Sequence, residues 1–249
     1  MNDIPTDPIP IDPIPIDDGL PGGSVPSGDR RPLASRDTGW ARLLARRAAA
    51  AGMTPNGISL ASTGFAGLAG AALWASHGAA GPAGILWLLL AALGCQLRLI
   101  CNLIDGMVAI EGGRASPTGA LWNELPDRVS DVLVLVAVGV AAEAPLLGWA
   151  AAAAAVLTAY VRELGHRLTG TADFTGVMAK PQRMAVVTLA CGLAIVVRLF
   201  GTVQDGMIFR WAIIAVLIGA TWVTVARTRG LLRDLRESAR PSARPKPAR

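Results

Sequence analysis

Six apolar stretches dominate the chain after its first fifty residues, at 58–76, 85–104, 129–142, 146–161, 184–200 and 211–225. A surface helix of a soluble protein would carry a polar stripe at a period of 3.6 residues, whereas these stretches are apolar on nearly all sides. Several are shorter than the roughly 20 residues that span a bilayer. The second and third continue into semi-polar helix at 102–110 and 119–128. We therefore predict an all-α integral membrane protein with six transmembrane helices, whose polar ends project at one face.

The N-terminal fifty residues have a different pattern. Residues 1–29 repeat proline, aspartate and isoleucine, which is typical of a disordered tail and unlike a signal peptide. At 30–52, arginines alternate with Trp40, Leu43 and Leu44, which favours a basic amphipathic juxtamembrane helix; an ordinary solvated segment is the alternative. The six-helix membrane domain is then expected at 53–230, followed by a basic cytoplasmic tail at 231–249.

Composition agrees with a membrane protein and excludes a soluble enzyme. Hydrophobic residues make up 52% of the 249 residues and charged residues 16%, against about 25% charged in soluble domains. The net charge of +5 comes from basic residues at the chain ends and between apolar stretches, so anionic lipid headgroups are a better partner than nucleic acid. The three cysteines lie within apolar stretches, and their spacing indicates neither a disulfide framework nor a zinc site.

The distribution of basic residues predicts the orientation. The first, third and fifth connections between apolar stretches, at 77–84, 143–145 and 201–207, contain no Lys or Arg, whereas the N-terminal segment, the second and fourth connections and the C-terminal tail do. The positive-inside rule then places both termini in the cytoplasm of a multi-pass protein of the cell membrane. Arg198 and Arg210 depart from this pattern, but at helix ends their long side chains can reach the interface.

Acidic and amide residues concentrate where the second and third helices meet. Asn102 and Asp105 share one helix face, and Asn123, Asp127 and Asp131 share another, by the i,i+3 and i,i+4 periodicity of the α-helix. Ionisable residues within membrane segments are costly and are usually functional. A short hairpin would bring both stripes together at the cytoplasmic boundary, where oxygen ligands suit Mg²⁺ or Mn²⁺. A hairpin held by salt bridges with Arg114 and Arg128 is the structural alternative.

These residues resemble the motif of the CDP-alcohol phosphatidyltransferases, D-x2-D-G-x2-A-R-x8-G-x3-D-x3-D. Without gaps, the chain has Asn102-x2-Asp105-Gly106-x2-Ala109-Ile110-x8-Gly119-x3-Asn123-x3-Asp127. The spacing is kept, while Asn102 and Asn123 replace aspartates and Ile110 replaces arginine. Thr54-Pro55-Asn56 also looks like the family's opening before the first span. The resemblance covers roughly residues 40–225 and implies an enzyme of phospholipid synthesis. Such an enzyme transfers a substituted phosphate from a CDP-linked lipid to an alcohol and releases CMP.

The resemblance also implies roles for individual residues. Two divalent ions, Mg²⁺ or Mn²⁺, would be held by the carboxylates and amides of both stripes: Asp105, Asp127, Asp131, Asn102 and Asn123. The general base is the last aspartate, which is Asp127 by ungapped position and Asp131 by place on the stripe. We favour Asp131, because Asp127 is then free to bind metal. The cytidine nucleotide would approach the small residues Gly106, Ala109 and Gly119.

Three basic residues flank the same boundary, and they are candidates for binding donor phosphates or an acidic acceptor: Arg162, Lys180 and Arg183. Guanidinium and ammonium groups both suit phosphate, although charges that only set topology are an equal alternative. The expected partners are a CDP-linked lipid, an alcohol or alcohol phosphate, membrane lipids and a second copy in a homodimer. Two alternatives stay open: a degenerate family member with a binding or assembly role, and a small ion-coupled transporter.

Overall fold

The computed structural model describes residues 38–111, 118–170, 176–201 and 205–238. These ranges contain no strand and form seven helices: α1 (Gly39–Ala50), α2 (Pro55–Gly78), α3 (Gly81–Glu111), α4 (Gly119–Ala141), α5 (Pro145–Thr169), α6 (Lys180–Leu199) and α7 (Gly206–Ser238). Each apolar stretch falls on one of helices α2 to α7, to within one residue, which confirms the all-α prediction. The predicted tail at 1–29, the start of the juxtamembrane helix at 30–37 and residues 239–249 lie outside the described residues.

Local sequence explains where several helices begin. The side chain of Thr54 accepts a hydrogen bond from the backbone N–H of Gly57 at 3.1 Å, which satisfies one of the donors left open in the first turn. Pro55 follows directly, and Pro145 takes the same place in α5; a proline here loses no helical hydrogen bond and its φ is already helical. The Thr-Pro-Asn segment is therefore a helix start as well as a point of resemblance.

Small residues set the spacing between the helices. α2 packs against α3 and α4, α5 against α4 and α7, and α6 against α3 and α7. Where α4 and α5 cross, a Cβ on Gly139 would lie 2.6 Å from the Cα of Gly148, closer than any real contact. The two backbones can approach this far only because both residues are glycine. Much of the buried core is alanine, including Ala66, Ala69 and Ala155.

Among the residues that the structure describes, five helices are long and apolar enough to cross a membrane: α2, α3 through Ala109, α5, α6 and α7. Their outward faces carry exposed large side chains such as Leu68, Trp74 and Trp222. This is the architecture of a multi-pass membrane protein. α4 is not among the five, because its first half holds Glu124, Asp127, Arg128 and Asp131, so the sixth span stays a prediction. α7 continues to Ser238, so the predicted C-terminal tail begins as helix.

The short helix α1 lies beside the polar end of α3. Its inward residues Ala41 and Ala45 are buried in a small cluster with Met107 and Val108 of α3, while Trp40 and Leu43 are exposed. Within the predicted segment 30–52, the structure has a helix from Gly39 to Ala50. The contact matters for the site, because α1 supports the turn of α3 that follows Asp105.

Candidate active site

Three helices bring polar side chains together at one end of the bundle. α3 supplies Asn102 and Asp105, α4 supplies Asp127, and the first residue of α6 supplies Lys180. The Lys180 ammonium contacts both the amide oxygen of Asn102 and Oδ2 of Asp127. Both carboxylates are buried, each with 4% of its surface exposed. The two stripes read from the sequence therefore do meet, but a lysine from a distant part of the chain lies between them.

Helix α2 holds the α3 side of this site through two serines. Ser59 donates a hydrogen bond to Oδ2 of Asp105 at 2.8 Å, and the amide of Asn102 donates to the hydroxyl of Ser62. The Gly106 backbone N–H donates to the other oxygen of Asp105. Sequence reasoning missed both serines. The sequence did carry a signal for them, because Ser59 and Ser62 are three residues apart and so place two hydroxyl groups on one face of an otherwise apolar helix.

The α4 side is shaped by a proline and by hydroxyl groups. Pro126 lies inside α4, and its carbonyl accepts from Ser130 at 2.7 Å and from Thr63 of α2 at 3.2 Å. A proline cannot donate the usual helical hydrogen bond, so these contacts help to fix α4 immediately before Asp127. Arg128 lies 3.7 Å from Oδ2 of Asp127, and it is the second cation that faces this carboxylate.

One turn deeper, a buried ion triad surrounds Asp131. Arg98 of α3 contacts Oδ1 at 2.7 Å, and Arg183 of α6 contacts Oδ2 at 2.6 Å. The side chains of Arg98 and Asp131 have no exposed surface, and that of Arg183 has 2%. Both oxygens of Asp131 thus contact guanidinium groups. The roles of general base and metal ligand stay predictions for Asp131, and in this geometry both of its oxygens are engaged by cations.

Arg98 was also missed from the sequence, although an arginine inside the apolar stretch 85–104 was a visible signal. Its partner could not be read from the helical spacing, because Asp131 lies on another helix. The guanidinium is not saturated: Nε and Nη1 of Arg98, and Nε of Arg183, are buried without a hydrogen-bond partner. Buried donors of this kind are costly, so the two arginines carry more N–H donors than the acceptors around them satisfy.

The remaining predicted residues lie around this centre at different depths. Asn123 is exposed, one turn before buried Asp127, while Gly106, Ala109 and Gly119 are half-buried. Arg162 of α5 pairs with Glu124 of α4 at 2.6 Å and with its neighbour Glu163 at 2.7 Å. Arg162 thus reaches α4 one turn from Asp127, whereas Arg183 is committed to Asp131. The side chain of Ile110, and Arg114 in the second connection, lie outside what the structure describes.

The side chains present do not fit a site for two divalent ions. Within the described ranges, no group of three or more His, Cys, Asp or Glu side chains converges as metal ligands do. Asn123 is exposed, Asp131 is bound by two arginines, and Lys180 covers oxygens of Asn102 and Asp127. Lys180 and Arg128 already contact Oδ2 of Asp127, and Arg128 also pairs with Glu124 at 3.5 Å.

The fold is shared with a solved membrane enzyme. Two crystal structures of phosphatidylinositol phosphate synthase from Mycobacterium tuberculosis match 84% of this chain, each with a TM-score of 0.62 and 17% sequence identity. The structure with manganese and citrate is covered over 93% of its chain, and the one with CDP-DAG bound over 98%. No protein-family model matches the sequence, and no curated protein does. At this identity the likeness establishes the fold.

Proposed function

We propose that this chain is a membrane enzyme of the CDP-alcohol phosphatidyltransferase kind, which transfers a substituted phosphate from a CDP-linked lipid to an alcohol. The observation that carries the proposal is the burial of Asp105 and Asp127, at motif spacing, at one end of a fold shared with phosphatidylinositol phosphate synthase. We also propose that this end of the bundle and both termini lie in the cytoplasm, and that the protein assembles as a homodimer.

The donor phosphates would bind beside the two cations that contact Asp127. Lys180 and Arg128 both contact Oδ2 of Asp127 and can exchange that contact for phosphate oxygens, which accept strong hydrogen bonds from ammonium and guanidinium groups. Arg162, which pairs with Glu124 of α4, would meet the donor or an acidic acceptor. Gly106 and Ala109 offer a half-buried surface without bulk, where the cytidine could lie close to helix α3.

Asp127 is the general base in this proposal. It would accept the proton of the acceptor hydroxyl through Oδ1, since Lys180 and Arg128 contact Oδ2. The alcohol oxygen then forms a bond to the lipid-bearing phosphorus, and the bond from that phosphorus to the bridging oxygen breaks. CMP leaves with the electron pair, while Lys180 and Arg128 stabilise the negative charge on the phosphates. Asp105, held by Ser59, would orient the nucleotide.

The test is CMP release by the full-length protein in lipid nanodiscs containing CDP-diacylglycerol, with a panel of alcohols and alcohol phosphates. Asp127→Asn should lower turnover by about 10²-fold or more, the usual contribution of a general base, while the protein stays folded. Asp234→Asn is the matched control, because Asp234 is an exposed aspartate of α7, and it should leave turnover unchanged. Equal rates in wild type and Asp127→Asn would reject the base, and no CMP release with any acceptor would reject the function.

A degenerate relative that binds CDP-lipid without turnover is the second candidate. The specific observation in its favour is that Lys180 covers oxygens of Asn102 and Asp127, together with the Asn102, Ile110 and Asn123 departures from the motif. Such a protein would bind CDP-diacylglycerol in the same nanodiscs, with loss of binding in Lys180→Met, and would release no CMP.

A further inference from the structure

We infer that the Lys180 ammonium occupies one of the two cation positions expected from the motif, so that the site holds no more than one divalent ion. The inference relies on the proposed function only for the nature of the ligand, a CDP-linked donor. Its basis is the position of Nζ, which contacts one oxygen of Asn102 and one oxygen of Asp127. Those two side chains come from different stripes, as ligands of one shared ion would.

The amide of Asn102 is consistent with a tethered cation. An aspartate at this position would add a negative charge that a divalent ion could balance, whereas the neutral amide leaves Asp127 as the charged partner of Lys180. The amide also uses both of its ends, because its nitrogen donates to Ser62 while its oxygen accepts from Lys180. Ser62 and Lys180 therefore fix the orientation of Asn102 as a hydrogen-bonding residue, with its oxygen already used.

The charges around Asp131 also favour a lysine over a second divalent ion at this position. Asp131, which could have offset a second ion, is neutralised by Arg98 and Arg183 on both of its oxygens. Three nitrogen atoms of these arginines are buried without acceptors. A doubly charged ion in place of Lys180 would face the net positive charge of two buried arginines paired with one aspartate, and buried charges are screened less than charges in water. A single ammonium, attached to the chain at the start of α6, adds less charge and needs no ligand shell.

The inference is tested by counting bound Mn²⁺, without reference to turnover. The full-length protein is placed in nanodiscs of phosphatidylcholine, and free Mn²⁺ is measured by electron paramagnetic resonance during titration. We expect wild type to saturate at one Mn²⁺ or fewer per chain. The double variant Asn102→Asp with Lys180→Met should gain one Mn²⁺ per chain. Arg229→Met, which removes one positive charge from an exposed position on α7, should match wild type.

A second measurement keeps the test independent of how well the double variant folds. Lys180→Met should weaken the binding of CMP at least tenfold relative to wild type. Two Mn²⁺ per wild-type chain, or CMP binding that survives Lys180→Met unchanged, would overturn the inference. Failure of CMP release with a stoichiometry of one or less would instead reject the proposed function and leave the role of Lys180 intact.

Discussion

Replacing Asp131 by asparagine separates a structural role from a catalytic one. In the folded protein this carboxylate lies 2.7 Å from Arg98 and 2.6 Å from Arg183, with none of its own side chain exposed. Asparagine has nearly the same shape, so the substitution removes a charge and leaves little change in packing. It leaves two buried guanidinium groups without their counter-ion.

The expected cost follows from this burial. Removing one partner of a buried ion pair costs about 3–5 kcal/mol, because the remaining charge is neither paired nor solvated. For a chain of this size, 1 kcal/mol corresponds to a shift in Tm of about 2–4 °C, so Asp131→Asn should lower Tm by about 6–20 °C. Glu163→Gln is the contrasting variant, since Glu163 is 48% exposed in its pair with Arg162 and such pairs contribute at most about 1 kcal/mol.

The assay is thermal unfolding of purified protein in detergent, followed by the loss of the monodisperse peak in size-exclusion chromatography. Adding Arg98→Met to Asp131→Asn should cost less than the sum of the two single effects, since both changes remove the same contact. If Asp131→Asn melts within about 2 °C of wild type but no longer releases CMP, the buried triad is not structural. In that case the carboxylate would act as the base that the sequence favoured.

Two further predictions concern packing and orientation. Gly139→Ala places a methyl group against the backbone of Gly148 and should destabilise the protein by about 1–3 kcal/mol, read as a lower Tm. Gly192→Ala, which has no atom within 4 Å of the added Cβ, should leave Tm unchanged or slightly higher. For orientation, Ala80→Cys should react with an impermeant thiol reagent in intact cells, and Ala115→Cys only after the cytoplasmic face is opened. Labelling of Ala115→Cys in intact cells would show that the topology is inverted and would leave the cytoplasmic CDP-lipid reaction without support.

The helices could be read from the sequence because their cause is local. Lipid supplies no hydrogen bonds to the backbone, so an apolar stretch of sufficient length must satisfy its own N–H and C=O groups as a helix. The helix starts at Pro55 and Pro145 are equally local. The sequence also located the motif carboxylates Asp105 and Asp127, because a fixed periodicity places residues three and four apart on one face.

The partners of those carboxylates were decided by tertiary structure. Nothing in the periodicity of α4 relates Asp131 to Arg98 or Arg183, which lie on α3 and α6. Read along one helix, Asp131 continues the acidic stripe and looks like Asp127. In the folded protein Asp131 lies one helical turn after Asp127 along α4. At that position it contacts two arginines, whereas Asp127 contacts a lysine.

The sequence alone thus determined the helices, their apolar character and the faces on which the acidic residues lie, because backbone hydrogen bonding in lipid and helical periodicity depend only on neighbours along the chain. Which side chain neutralises which charge depended on the packing of α6 against α3, through which Lys180 reaches Asn102 and Asp127. An ammonium and a divalent ion can satisfy the same oxygens. Only the approach of helices distant in sequence decided that a lysine lies there.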